Sequence, residues 1–336
     1  MPRAEPEGDD APGESRTPTL RHVLEYVLAR ALAFAVLCTD ARGAARLGRL
    51  LGRLLGTLDR RHRLVAVENL RAAYGPSLGE EEADRLAMRV FEQMGVTATE
   101  VLHGPRLLRG RVRRRRLAAE GAEAVLRASK GGPVVLLSAH LGNWEFLVPA
   151  ARLAGFDLVP VARPLDNPLL DRWVEGIRAS MGNRPLPKRG ALRTLVRAVR
   201  EGRCIGLLVD QNAGRHGTLS TFFGRPCSTQ SAGISLARRM KLPFAVVCLE
   251  RQAPGLHRFL VGPPMFVEDD DEAERRAVDE MNRQLEAIVR RRPAEWMWLH
   301  RRWRIKAAWG WPVEPTDRAW KGQGTRRQAA GAAPAP

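Results

Sequence analysis

Apolar positions recur along this chain with two periods, and the change between them divides it. From Leu20 to Cys38 the chain is apolar but interrupted by Arg21, His22, Glu25 and Arg30, charges that are costly at the centre of a bilayer. The longest uncharged run, Ala31 to Thr39, is too short to span one. With the arginine-dotted stretch from Ala44 to Leu58, it predicts an amphipathic helix pair that fits either a membrane interface or a buried bundle. Helical spacing continues from Arg60 to Leu108 through Leu70, Leu86, Val90, Phe91 and Met94, with Gly75, Pro76 and Gly79 as punctuation.

Beyond residue 130 short strand-like runs alternate with helical ones. Val134 to Ser138 follows the turn residues Gly131, Gly132 and Pro133 and predicts a buried strand. Leu158 to Ala162 predicts a second. Asn167 and Pro168 then form a helix start, with Leu170, Trp173, Val174, Ile177 and Met181 on one apolar face. Another helix places Leu195 and Val199 inward, and Cys204 to Val209 predicts a third strand ending in Asp210 and Gln211. Residues 211–227 read as a loop carrying an exposed Phe222 and Phe223. A helix from Ser231 to Met240, a strand from Phe244 to Leu249, a neighbouring Phe259 to Val261 and a helix within 268–292 complete the pattern. Strand, helix and strand in alternation predict an α/β fold: a central, mostly parallel sheet flanked by helices, with an N-terminal helical, membrane-associated segment.

The expected domains are a disordered tail over 1–18, helices over 19–110, an α/β domain over 111–312 and a second tail over 313–336. The first tail lacks the pattern of a cleavable signal.

Charge changes this picture by asking for an anionic partner. Lys and Arg number 55 against 37 Asp and Glu, a formal net charge of +18. An anionic membrane surface, a phosphorylated substrate or nucleic acid would each answer it, and so would GC-rich coding sequence with no partner at all. The arginines of 111–116 are not accompanied by a nucleic-acid motif or a stacking aromatic pattern, so no nucleic acid is expected. Cys38, Cys204, Cys227 and Cys248 lie far apart with no CxxC pair, which predicts buried thiols in a reducing compartment and no zinc site. No metal is expected. Neither a Walker loop nor a dinucleotide glycine fingerprint is present, and no cofactor is expected.

The candidate chemistry begins where the first strand ends. His140 is the side chain here whose ordinary pKa lies near neutrality, and Glu145 follows across a turn containing Gly142. A histidine held at a strand end can deprotonate a hydroxyl when a carboxylate fixes its tautomer, with no covalent intermediate. The spacing alone also fits a capped turn with a hydrogen-bonded histidine. Ser138 lacks the Gly-x-Ser-x-Gly elbow of a nucleophile. Arg163, Arg178 and Arg189 follow strand or helix ends and are candidates for gripping phosphate.

In order along the chain stand Ser138-Ala139-His140-Leu141-Gly142-Asn143-Trp144-Glu145, Arg163-Pro164 with Asn167 and Leu170-Asp171, Asp210-Gln211, Phe222-Phe223-Gly224-Arg225-Pro226, and Pro293, Glu295-Trp296, Trp298 and His300-Arg301-Arg302-Trp303. Together these motifs resemble the lipid A biosynthesis acyltransferases of the wider lysophospholipid acyltransferase superfamily, from about Arg60 to Trp303. The position after Thr229 is Gln230 where that family often carries proline.

The resemblance implies transfer of a fatty acyl group from acyl carrier protein or coenzyme A to a hydroxyl of a membrane glycolipid, a lipid A precursor foremost. Another glycolipid, such as a phosphatidylinositol mannoside, or a lysophospholipid is the alternative acceptor, and a non-catalytic basic protein that binds membrane or nucleic acid is the alternative outside the enzymes. It implies His140 as general base and Glu145 as its orienting partner in a His-x4-acid motif, with Arg163 steadying phosphate or developing negative charge. Asp210 is expected to support the site, and Gln211, Asn143, Arg178, Phe222 and Phe223 are further candidate substrate contacts. Acyl carrier protein, the glycolipid acceptor and an anionic membrane surface are the implied partners. The implied location is the cytoplasmic face of a bacterial inner membrane, with peripheral or monotopic attachment. Phe222, Phe223 and the tryptophans near the C-terminus fit either a membrane interface or a core.

Overall fold

Side-chain caps cut the N-terminal third of the protein into helices in the computed structural model, which describes residues 17–110, 112–162, 164–184, 186–187 and 191–311. Thr19, Asp40 and Asp59 accept hydrogen bonds from the backbone N–H groups of His22, Gly43 and His62, and so open α1 (Leu20–Leu37), α2 (Ala41–Leu58) and α3 (Arg60–Tyr74). After Gly79 comes α4 (Glu80–Leu107), whose first turn carries Glu80, Glu81 and Glu82 at the positive end of the helix dipole.

The helix α2 does not bury its leucines. Gly52 and Gly95 bring α2 and α4 so close that a Cβ at either position would collide with the carbonyl of Phe91 or Gly48. The buried stripe of α2 is therefore Ala44, Ala45, Gly48, Gly52 and Gly56, and Leu50, Leu54, Leu55 and Leu58 are left exposed. α1 likewise buries only Ala33 and Val36, leaving Leu20, Leu24, Leu28 and Phe34 outside. Among the described residues, no helix is long and apolar enough to cross a membrane.

The chain then enters the α/β region through α5 (Val112–Arg116), β1 (Leu117–Glu120), α6 (Ala122–Ala128) and β2 (Val135–Ser138). It continues through α7 (Leu147–Leu153), β3 (Leu158–Ala162), α8 (Pro168–Ser180), β4 (Leu186–Pro187), α9 (Ala191–Arg200) and β5 (Cys204–Leu208). A hairpin of β6 (Thr218–Phe222) and β7 (Arg225–Thr229) precedes α10 (Ala232–Met240), β8 (Phe244–Ala253), β9 (Leu256–Val261) and α11 (Asp271–Arg291).

Seven strands pair in the order β1, β9, β8, β2, β5, β3, β4, and β8 with β9 is the antiparallel step. Alternation along β2 feeds two cores. Val135 and Leu137 pack on one face with α4, α9, α10, α11 and three tryptophans, and Leu136 packs on the other with α6 and α7. The α/β class with a mostly parallel sheet flanked by helices is thus the observed architecture.

Several local expectations are corrected. Residues 211–227 are not a plain loop: they hold β6 and the start of β7, and Phe222 and Phe223 are buried rather than exposed, because Tyr74, Trp296, Trp298 and Trp303 pack around them. Trp296 and Trp298 are core residues with no exposed surface. Of the four cysteines, Cys38 is exposed at the end of α1 and the other three are buried. The apolar face of α8 is half-covered, with none of its helical residues fully buried. Most of both expected tails, residues 1–16 and 312–336, lies outside the described residues, as do Arg163 and Arg189.

Candidate active site

Sheet register brings the first two site residues together. In the parallel pairing of β2 with β5, Ser138 stands opposite Leu208. His140 and Asp210 lie one strand repeat further along each chain segment, so they leave the carboxyl edge of the sheet side by side, where open α/β sheets place their ligands. The Val209 N–H still donates to the Ser138 carbonyl at 2.9 Å, carrying the ladder almost to the site.

Asp210 is the carboxylate that holds His140. Its Oδ2 accepts from the His140 backbone N–H at 2.8 Å and from Trp296 Nε1 at 2.8 Å, and its Oδ1 lies 2.8 Å from His140 Nδ1. Burial alone would raise the Asp210 carboxyl. The charge and hydrogen bond of His140, with His300 nearby, outweigh that and hold it well below the usual carboxylate range. An ionised Asp210 can only accept, so Nδ1 carries the proton and the lone pair of a neutral His140 sits on Nε2.

Among the described residues nothing hydrogen-bonds Nε2, and the His140 side chain keeps 19% of its surface open. Burial pulls the His140 pKa down, but the charge and hydrogen bond of Asp210, with the charge of Glu145, push it above its ordinary value. The ring also meets Trp144 edge-on at 5.3 Å.

Glu145 does not take the orienting place that the motif spacing suggested. Its carboxylate forms a two-pronged pair with Arg178, at 2.8 Å from Nε and 2.6 Å from Nη2. Arg178, in the last turn of α8, is therefore engaged by Glu145 rather than left open for phosphate, and that bond and charge raise its own pKa further. Ser138 points away from this chemistry: its buried hydroxyl donates to the Val247 carbonyl at 2.7 Å.

The turn between His140 and Glu145 is held from three sides. Gly142 has φ of 61°, and a Cβ there would strike the Leu249 carbonyl. Its N–H donates to the Glu295 carbonyl at 3.0 Å, its carbonyl accepts from Thr97 Oγ1 at 2.9 Å, and the Met297 N–H donates to the His140 carbonyl at 3.0 Å. Asn143 is fully buried and donates to Glu100 at 3.0 Å.

The tryptophan segment supports the Asp210 side. His300, lowered in pKa by burial, places Nε2 at 3.0 Å from the Asp210 carbonyl and Nδ1 at 2.9 Å from that of Met297. Arg302 is fully buried and donates to the carbonyls of Gln211 and Ser228 and to Thr229 Oγ1, joining the hairpin to the end of β5. Gln211 is exposed, whereas Phe222 and Phe223 lie in the aromatic core behind the site. Trp296 as a donor to Asp210, and Glu100 and Thr97 behind the turn, are contributors that spacing did not single out. Trp296 stood within a recognised motif, but Glu100 carries no local signal. Among the described residues no group of three or more His, Cys, Asp or Glu side chains gathers to hold a metal.

Fold and site together define an α/β protein with a histidine and aspartate pair at the carboxyl edge of its sheet. The chain belongs to the bacterial lipid A biosynthesis acyltransferases, whose family model matches residues 14–305, and it is accordingly an O-acyltransferase. It is 25% identical over 253 residues to a lipid A biosynthesis palmitoleoyltransferase of Escherichia coli (strain K12), covering 74% of this chain and 80% of the relative. A lipid A biosynthesis lauroyltransferase of the same organism is 26% identical over 254 residues, with the same coverage of 74% and 80%. A lipid A biosynthesis acyltransferase of Haemophilus influenzae is 28% identical over 195 residues, covering 56% of this chain and 60% of that protein.

Proposed function

We propose that this protein transfers a fatty acyl chain from a thioester donor, acyl carrier protein or coenzyme A, to a hydroxyl of a lipid A precursor, with His140 as general base. The observation that carries the reading is the contact of 2.8 Å between His140 Nδ1 and the buried Asp210 carboxylate, in a ring whose Nε2 is hydrogen-bonded by none of the described residues. Nε2 removes the proton of the acceptor hydroxyl as its oxygen attacks the thioester carbonyl. The tetrahedral intermediate then collapses, the C–S bond breaks, and the imidazolium returns the proton to the leaving thiolate. Asp210 fixes the tautomer and stabilises the transient imidazolium, as a carboxylate does in histidine-based acyl transfer generally.

Glu145 acts on this centre through its charge and through Arg178. The role of Arg163 in steadying phosphate or developing negative charge rests on the family resemblance alone. Membrane attachment is peripheral in this reading: exposed leucines on α1 and α2 enter the interfacial region while exposed arginines of α2 meet anionic headgroups. In this reading the site faces the cytoplasmic side of the inner membrane, as the family resemblance implies.

Lipid profiling of a deletion strain tests the acceptor. Loss of one secondary acyl chain from lipid A is the expected result, and complementation with His140→Ala should leave that chain missing. Unaltered lipid A, with a change instead in a lysophospholipid or phosphatidylinositol mannoside pool, would replace the acceptor. Full complementation by His140→Ala would remove the proposed base.

A further inference from the structure

Behind the turn that carries His140 lies a buried charge cluster that takes no part in the proton transfer. Glu100, from the C-terminal third of α4, is almost fully enclosed, and its two oxygens accept from Arg251 Nε at 3.1 and 3.0 Å and from Arg251 Nη2 at 3.0 Å. They also meet the Gly255 N–H at 3.0 Å, His257 Nε2 at 3.1 Å and Asn143 Nδ2 at 3.0 Å. Arg251 is buried too, and its remaining donors reach Gln93 at 2.8 Å and Thr97 Oγ1 at 2.7 Å. Burial would raise the Glu100 carboxyl, yet the bonds and charges of His257 and Arg251 hold it down at about 2.

Buried ion pairs repay their desolvation poorly, so stability is a weak reason for this arrangement. Geometry supplies a better one. Two members of the cluster end on the turn itself: Glu100 accepts from Asn143, and Thr97, fixed by Arg251, donates to the Gly142 carbonyl at 2.9 Å. The sheet supports the His140 backbone from one side through Asp210 and the tryptophan segment does so from another through Met297. The α4 cluster closes the third side.

We propose that Glu100, Arg251 and Thr97 are positioning residues that set the backbone of the His140 to Asn143 turn, and through it the alignment of the His140 ring on Asp210. The effect on rate rests on the acyltransferase reading above, whereas the effect on His140 geometry does not. A small displacement of a base is costly: a misplacement of about 1 Å can cost about 100-fold in rate.

The test uses the full chain with Glu100→Gln and, should that variant not fold, the milder Thr97→Val, which deletes the hydroxyl and keeps the shape. Two readouts are taken on folded protein: acyl transfer from acyl carrier protein to a lipid A precursor, and the downfield proton resonance of His140 Nδ1–H, assigned by its loss in His140→Ala. Expected are a fall in kcat of about 10- to 100-fold with little change in KM, and a shifted or broadened resonance. Val278→Ala, a core change in α11 that lowers Tm, should leave the resonance in place. A folded Glu100→Gln or Thr97→Val protein with both kcat and the resonance unaltered overturns the proposal. Transfer by His140→Ala would instead overturn the base, and the resonance would still decide the role of Glu100.

Discussion

Glu145 and Arg178 meet in a two-pronged ion pair of 2.8 and 2.6 Å, which leaves the acid of the His-x4-acid motif facing an arginine of α8 while Asp210 takes the histidine. The two acids therefore do different work. Asp210 sets a tautomer by direct contact; Glu145 shapes the field and fixes the junction between the turn and α8.

Substitutions should separate these roles. Asp210→Asn leaves the shape but removes the charge, and an amide can support the wrong tautomer, so kcat/KM should fall about 1,000- to 10,000-fold. Glu145→Gln should cost at least about tenfold less, since His140 keeps its own partner. Steady-state kinetics on both variants checks the order, and a Glu145→Gln loss equal to that of Asp210→Asn would make Glu145 a direct partner of the base.

The pH profile follows from the same contacts. In the proposed mechanism His140 acts only when neutral, and Asp210 and Glu145 raise its pKa despite burial. Activity should thus rise with pH through a limb above the ordinary histidine value of about 6.5. Asp210→Asn removes the largest raising influence and leaves burial, so the remaining activity should show that limb at lower pH. For stability the signs differ. The raised His140 pKa contributes stability that is fully present below the unfolded value and is lost as pH rises through the folded one. The depressed Asp210 pKa contributes stability present above its unfolded value and lost as pH falls through the folded one. Rate against pH for both proteins checks the kinetic limb; a limb that stays in place in Asp210→Asn would contradict the pairing as its cause.

Packing of α2 on α4 gives a prediction independent of chemistry. A Cβ at Gly52 or Gly95 would meet backbone carbonyls that cannot rotate away, so Gly52→Ala and Gly95→Ala should each destabilise by about 1–3 kcal/mol. Gly176→Ala, inside α8 where a Cβ would meet nothing, is the comparison. Thermal unfolding checks it, and equal Tm values across the three would show that the helices can separate at no cost.

How much of this was legible in the sequence depends on distance along the chain. Strands β2, β3, β5 and β8 announce themselves as apolar runs, and Asn167 with Pro168 marks the start of α8 as local cap chemistry does. β1 was hidden because it shows only Leu117 to the core and follows an arginine run; β4 spans only Leu186 and Pro187. The hairpin of β6 and β7 turns at Phe223 and Gly224, both with positive φ, and phenylalanine is not the residue that usually signals such a turn. Family resemblance alone marks Asp210 as a site residue. That it, rather than Glu145, holds His140 needed the register of β2 on β5, which no local pattern contains.

The exposed leucines of α2 test the membrane reading. Leu50, Leu54 and Leu58 follow one another at single-turn spacing on the side opposite the glycine stripe, with Arg42, Arg46 and Arg49 exposed on the same helix. Serine at all three positions should leave Tm near that of the unaltered chain, because these side chains are exposed already. It should weaken binding to vesicles of anionic phospholipid, since full burial of each leucine is worth about 1.5–3 kcal/mol and only part of that is recovered at an interface. Salt separates the two contributions: at about 1 M the screening length falls to about 3 Å, so the arginine share should vanish and the leucine share persist. Vesicle sedimentation of both proteins at low and high salt checks this. Undiminished binding by the triple variant would mean that the leucines do not enter the bilayer, and their exposure would then require another occupant.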